Sequence, residues 1–298
     1  MDNIKIGVRL FSTFLSIGLL VMLQPASSFA VNRVHNGQNI YSPFLLRQDG
    51  MLRMYFGGWM DYGQEHDAIY RSDCPWEIAA CHNTIKVIDA VAVGLKQVND
   101  PTIVRMPGGY YIMYMTGVLP GMDGAITENN KIYYSTSWDN DGVNWSPPQL
   151  LISGAWTPSA TLNQNGEVIL YANSNINGLV EIYNLGQSGV EVRGPVHMAV
   201  NTGFNYINVD VMYRPALNAY QMFGERVLEN KSSVIDYLIS WDGVNFYVGA
   251  TDIVRPQPGQ FRVNTPAPHP DSHGWVYYGE TDQTNSMDFK INWSTWMH

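Results

Sequence analysis

The sequence predicts an all-β chain folded as a five-bladed β-propeller of four-stranded antiparallel blades, and three observations predict it. A unit made of a short polar start, a β-rich run, a turn and a second β-rich run ending in aromatics and a small residue recurs five times. The units open at positions 42, 100, 158, 210 and 265, which differ by 58, 58, 52 and 55. A period near 50 residues built of short strands is the mark of radially repeated sheets. Helical periodicity is almost absent after residue 30, and the strand-like runs are short and bounded by Gly, Asn, Asp or Pro. No Pro/Ser-rich linker interrupts the repeats, so residues 31–298 read as one domain.

Within each unit the inner two strands are the clearest. The second runs are expected at 52–56, 110–115, 168–172, 220–223 and 276–278. A third strand is expected at 131–135. It leads into Ser137-Trp138-Asp139-Asn140-Asp141-Gly142-Val143-Asn144-Trp145, and the fourth unit repeats this as Ser240-Trp241-Asp242-Gly243-Val244-Asn245-Phe246. Asp-Gly supplies the turn and the following aromatic packs back on its blade, so the carboxylates there are structural. The last unit ends near 288–293, and the segment from 35 to 41 leads straight into the first. The two ends are expected to meet and close the ring, which removes exposed sheet edges.

The first 30 residues read as a secretory signal. Lys5 and Arg9 precede an apolar run over 10–23, and Ser28-Phe29-Ala30 ends in the small-x-small pattern of a cleavage site. The apolar run is short for a membrane span and polar residues follow it. The mature chain is therefore expected to be secreted or periplasmic, with no membrane contact after cleavage. Cys74 and Cys81 are the two cysteines, and in an exported chain they can close a small loop as a disulfide, the alternative being two buried thiols. A net charge of -9 without a Lys/Arg cluster excludes a nucleic-acid partner. His269 and His273 share a loop, but the scattered histidines give no metal-ligand pattern; no metal and no cofactor is expected.

A propeller brings the same position of every unit to one axis. The start of each first strand and the end of each second strand meet at one face of the disc. The first column is then Ser42, Asp100, Pro158 (or Thr157 one register away), Asp210 and Thr265. The second is Gly57, Thr116, Asn173, Glu225 and Glu280. Asp100, Asp210, Glu225 and Glu280 would make the site acidic. Like charges in a confined site hold their pKa values apart, which suits one carboxyl to donate a proton and another to activate water or attack. Each has a structural alternative: Asp100 and Asp210 as turn caps, Glu225 paired with Arg226, Glu280 as a solvated loop residue. The loop over 59–67 adds Trp59 and Tyr62 for stacking on a sugar ring, and Asp61, Glu65, His66 and Asp67 for hydroxyl contacts, unless it only covers the blade.

The run Asn99-Asp100-Pro101-Thr102-Ile103-Val104, then Gly109-Tyr110-Tyr111-Ile112-Met113-Tyr114, then the Ser137 to Trp145 turn, resembles the five-bladed propellers of glycoside hydrolase families 43, 32, 68 and their relatives. The resemblance implies an exported glycoside hydrolase-like protein. It would act on arabinose-, xylose-, galactose- or fructose-containing glycans. Asp100, Asp210 and Glu225 are the catalytic candidates, and Ser42, Trp59, Asp61, His66, Asp67 and Glu280 the substrate-binding ones. These families place a carboxylate at the start of the first blade, where this chain has Ser42. That departure supports the alternative of a propeller that binds carbohydrate without cutting it.

Overall fold

The structure is a computed structural model that describes residues 32–33, 39–60, 66–75, 81–271, 274–281 and 289–295. Residues 31–298 form one compact unit. The signal-like segment and Asp61, Tyr62, Glu65 and His273 lie outside the described residues.

The strands follow in chain order. A short β1 (Asn32–Arg33) precedes blade 1, which is β2 (Ile40–Gln48), β3 (Met51–Gly58), β4 (Ala68–Cys74) and β5 (His82–Asp89). Blade 2 is β6 (Gln97–Arg105), β7 (Tyr111–Val118), β8 (Asn130–Ser137) and β9 (Gln149–Ser153). Blade 3 is β10 (Ala155–Leu162), β11 (Val168–Ser174), β12 (Val180–Asn184) and β13 (Arg193–His197). Blade 4 takes β14 (Ala199–Val200) as an outer parallel addition to β15 (Ile207–Arg214), β16 (Ala219–Val227), β17 (Ser233–Ser240) and β18 (Asn245–Val254). Blade 5 is β19 (Arg262–Pro268), β20 (Trp275–Thr281) and β21 (Phe289–Thr295), and β1 completes it. Asn32 pairs with Trp293 and Arg33 with Asn292, so the two ends of the chain share a blade and close the ring as expected.

Burial follows the same fivefold plan. Each core cluster joins two adjacent blades: Tyr55 and Ile69 of blade 1 with Met113 of blade 2, Ile112 with Val168, Tyr171 with Met222, and Phe223 with Val276. The cluster of Met54, Phe56, Tyr277 and Ile291 completes the circle between blades 5 and 1. Second-strand tyrosines also tie one blade to a turn of the next. The hydroxyl of Tyr55 donates to Gly142 O at 3.2 Å, that of Tyr114 to Gly189 O at 2.7 Å, and that of Tyr171 to Gly243 O at 2.8 Å. A Cβ at Gly142 would stand 1.9 Å from the Tyr55 hydroxyl, so the turn glycine is required by close approach as well as by its φ of +64°.

The two Ser-Trp-Asp turns are structural in the way their sequence predicts. Asp139 accepts the backbone N–H groups of Asp141, Val143 and Asn144, and Asp242 those of Val244 and Asn245. Burial pushes both carboxyls up, but hydrogen bonds from the Asn245 and Asn144 side-chain amides together with these N–H groups outweigh it and hold both below the usual carboxylate range. Trp145 then packs edge-on against Tyr55, and Phe246 against Tyr171.

In blade 1 Cys74 and Cys81 form a disulfide. It bridges the end of β4 to the residue before β5, a separation of seven residues. Replacing both by serine is expected to cost roughly 2–3 kcal/mol, the loop-closure entropy of so short a ring. Urea unfolding checks it; an unchanged midpoint would contradict the bond.

Candidate functional site

The innermost strand of every blade carries the same irregularity. Pairing breaks between Tyr41 and Phe44, Asn99 and Thr102, Trp156 and Ser159, Ile207 and Asp210, and Asn264 and Ala267. The first bulged residue is left-handed each time: Ser42 (φ 49°), Asp100 (51°), Thr157 (45°), Asn208 (47°) and Thr265 (41°). Such a φ is costly for any residue with a Cβ, and most of all for a β-branched threonine. In four blades the next residue is proline: Pro43, Pro101, Pro158 and Pro266. The bulge interrupts the ladder there, so the missing N–H of proline breaks no pair.

This ring corrects the first column read from the sequence. Blade 3 contributes Thr157, the alternative to Pro158, and blade 4 contributes Asn208, not Asp210. Blade 4 has Asn208-Val209 where the others have x-Pro, so no proline marks its bulge, and Asp210 stands two residues further along. The second column is corrected in blade 5. Thr116, Asn173 and Glu225 face Asn99, Trp156 and Ile207, but the residue facing Asn264 is Gly279, and Glu280 faces Val263. A slip of one residue turns a side chain to the opposite face of its sheet. A Cβ at Gly279 would come within 2.3 Å of Asn264 Oδ1, which explains glycine there.

The five bulged residues line a cavity of about 230 Å³ at the face where the inner strands begin, together with Tyr41, Asn99, Trp156 and Asn264. Below it the prolines and Val209 narrow the axis to a neck of about 30 Å³. Beyond the neck a wider, mainly apolar cavity of about 540 Å³ opens on the opposite face. Asp100 is the one carboxylate among the described residues lining the first cavity. Ser42 Oγ donates to its Oδ1 at 2.5 Å and the Thr116 hydroxyl also bonds it. Burial nevertheless raises its pKa above the ordinary value.

The ring side chains are fixed from behind. Asn173, fully buried, accepts from Thr157 Oγ1 at 2.7 Å and from the Asn208 N–H at 3.1 Å, while Thr116 Oγ1 accepts from the Thr157 N–H at 2.9 Å. Glu225 is 0% exposed; it accepts from Asn208 Nδ2 at 2.6 Å and is ion-paired with Arg262. It stands behind the ring, and its partner is Arg262 rather than the neighbouring Arg226, which pairs with Asp236 and Asp252. Glu280, also buried, accepts from Gln260 Nε2. Asp210 lines the neck and the far cavity, where Ser159 Oγ donates to it at 3.1 Å; burial lifts its pKa to about 7.

The loop candidates divide. Asp67 is buried behind the pocket wall, where its Oδ2 accepts from the Tyr41 hydroxyl and from Asn99 Nδ2 at 3.2 Å. Burial raises its pKa to about 6, the two hydrogen bonds pull it down, and the neighbouring Asp100 pushes it up. Trp59 is buried against Tyr41, with ring centroids 5.8 Å apart and planes tilted by 55°, and is not among the residues lining the axial cavity. His66 lies over Lys96 O at 3.2 Å, beside a separate cavity between blades 1 and 2. The structure thus gathers Ser42 and Asp100 at the pocket with Asp67 just behind. Asp210, Glu225, Glu280, Trp59 and His66 are set elsewhere. Asn208 and Asn264 are pocket residues that sequence reasoning passed over, while Thr157, the alternative to Pro158, is marked by the repeated x-Pro pair. Among the described residues no three His, Cys, Asp or Glu side chains group as metal ligands.

No family model matches the sequence, and no curated protein matches it. Solved structures do match the fold. The GH43_1 enzyme from Xanthomonas citri complexed with xylose superposes with a TM-score of 0.65 at 10% identity, covering 90% of each chain. The RS223 β-xylosidase gives 0.67 at 11% identity, covering 89% of this chain and 94% of its own. The GH43 endo-arabinanase from Bacillus licheniformis gives 0.61 at 10% identity, covering 86% and 93%. These likenesses show the fold: the chain is a five-bladed β-propeller like those of the solved GH43 structures.

Asp210 yields a pH prediction. A carboxyl raised to about 7 holds its proton more tightly folded than unfolded, so it costs stability as pH climbs from about 4 through 7 and nothing below. Asp210→Asn is expected to be more stable than wild type at pH 8 by on the order of 2–4 kcal/mol, with the difference closing near pH 4. Urea unfolding at the two pH values measures it; a pH-independent difference would contradict it.

Proposed function

We propose that this chain is an exported, glycoside hydrolase-like propeller that binds a small saccharide, or the terminal sugar of a glycan, in its axial pocket. The observation that carries the reading is the ring of five short polar side chains, held on left-handed bulges around a cavity of about 230 Å³. Strained backbone kept in register in all five blades points to a site rather than to packing. Hydroxyl, amide and carboxylate groups converging on one concave cavity match the donors and acceptors of a pentose or hexose. Solved structures of the same fold include complexes with xylose and xylotriose, which agrees with an arabinose-, xylose-, galactose- or fructose-type ligand. Export is supported by the signal-like first 30 residues and by the Cys74–Cys81 disulfide.

Binding without cleavage is the reading the carboxylates favour. Glycoside hydrolysis needs two carboxyls flanking the bond, about 5–5.5 Å apart or about 6.5–9.5 Å apart. Here Ser42 stands at the first blade, Asp210 lies past the neck, and Glu225 is ion-paired behind Asn208. One observation favours hydrolysis instead: Asp67, with its pKa near 6, neighbours Asp100 behind the pocket wall. It would have to turn away from Tyr41 to reach a leaving oxygen.

Calorimetric titration with arabinose, xylose, galactose, fructose and their short oligosaccharides tests the proposal. One of them is expected to bind, and Asp100→Ala to weaken it by about 10–100-fold, the cost of losing hydrogen bonds to a charged acceptor. Absence of binding across the panel, with the chain folded, would overturn it. Sugar released from the oligosaccharides by wild type but not by Asp67→Asn would replace it with the hydrolytic reading.

A further inference from the structure

The two Ser-Trp-Asp turns contain one residue that the fold does not use. Ser137 and Ser240 bond within their turns, Asp139 and Asp242 collect backbone N–H groups, Gly142 and Gly243 receive a tyrosine hydroxyl, and Trp145 and Phe246 pack inward. Trp138 and Trp241 do none of this. They are 73% and 63% exposed, the two most exposed aromatic side chains among the described residues. Burying a large aromatic stabilises a chain by several kcal/mol, yet the same turn position leaves it in water twice, in blades 2 and 4.

Each tryptophan is held in place from one side. Trp138 rests on Tyr110 with ring centroids 4.9 Å apart and planes at 33°, and Trp241 on Tyr247 at 5.7 Å and 57°. The neighbouring Asn140, Asp141 and Asn144, and Asp242 and Asn245, are exposed. Both sites therefore present an aromatic face, fixed by a second ring, beside amide and carboxylate groups. The cations that reach the blade 2 turn, Arg53 and Arg71, are buried, and Arg53 is paired with Asp141. A sugar ring needs this combination, with C–H groups on its face and hydroxyls on its edge. β8 and β17 run away from the pocket face, so both turns lie on the opposite face of the disc.

From these observations we infer that Trp138 with Tyr110 and Trp241 with Tyr247 are two peripheral binding platforms for a polysaccharide chain, on the face opposite the axial pocket. They would hold the protein on its glycan independently of the pocket. The inference does not rest on the pocket reading, since it uses different residues on a different face.

Affinity electrophoresis of the mature chain through gels containing soluble arabinan, xylan, galactan or levan tests it. Wild type is expected to be retarded by at least one of them. Trp138→Ala and Trp241→Ala should each weaken retention by about fivefold or more, as truncating an interface tryptophan does. Trp138→Phe and Trp241→Phe should keep most of it. Retention that survives the double alanine variant, or no retention in any gel, would overturn the inference. So would a change of sedimentation mass in the alanine variants with retention intact, which would assign the tryptophans to contacts between copies of the chain. Loss of retention in Asp100→Ala alone would place polysaccharide binding in the pocket and overturn it as well.

Discussion

The site depends on one backbone feature, the left-handed bulge at the start of each inner strand. A regular strand would alternate its side chains above and below the blade and send none along the axis. The bulge inserts one extra residue, breaks the ladder, and leaves Ser42, Asp100, Thr157, Asn208 and Thr265 on the ring that lines the pocket. Each costs about 1–3 kcal/mol of backbone strain, and the ring persists because the surroundings leave it no alternative. Proline follows in four blades. Asn173, Thr116 and Glu225 hold the ring side chains from behind, and hydroxyls of one inner strand reach the backbone of the next, as Thr102 does to Ala160 and Ser159 to Val211.

The closed ring makes that strain sustainable. Among the described residues five core clusters fill the five junctions between blades, and β1 pairs with β21 to complete the sheet of blade 5. Opening one junction would expose the apolar faces on both sides, so no blade can relax its bulge alone. The same closure fixes what the pocket can be: narrow, polar, and floored by prolines. Its carboxylates are separated by function of position. Asp100 faces the cavity, Asp67 and Glu225 are absorbed into the wall, and Asp210 belongs to the far side of the neck.

The architecture was legible from the sequence because it rests on repetition. Period, strand-rich runs and Asp-Gly turns identified five blades and their order, and the observed second strands overlap every expected run, with only Tyr110 falling outside. Register was legible only where a chemical marker accompanied it. Ser42, Asp100 and Thr265 precede proline and were placed correctly. Blade 4 has Val209 in place of proline, so Asp210 drew attention that belonged to Asn208. In blade 5 the conspicuous Glu280 hid the fact that Gly279 holds the facing position. Burial was the other blind spot. Trp59 and Glu225 look like ligand contacts in a string of letters, but one is covered by Tyr41 and the other is consumed by Arg262. Pairing of that kind depends on neighbours in the next blade, which local sequence does not name.

The central claim is that the ring of bulged residues is a saccharide site. The most direct measurement is a crystal structure of residues 31–298 soaked with xylose or arabinose. The account predicts a sugar seated in the pocket above the prolines, with a hydroxyl within hydrogen-bond distance of the Asp100 carboxylate and others near Thr157 and Asn208. A pocket holding only solvent at saturating sugar, in crystals where the pocket is open, would contradict it.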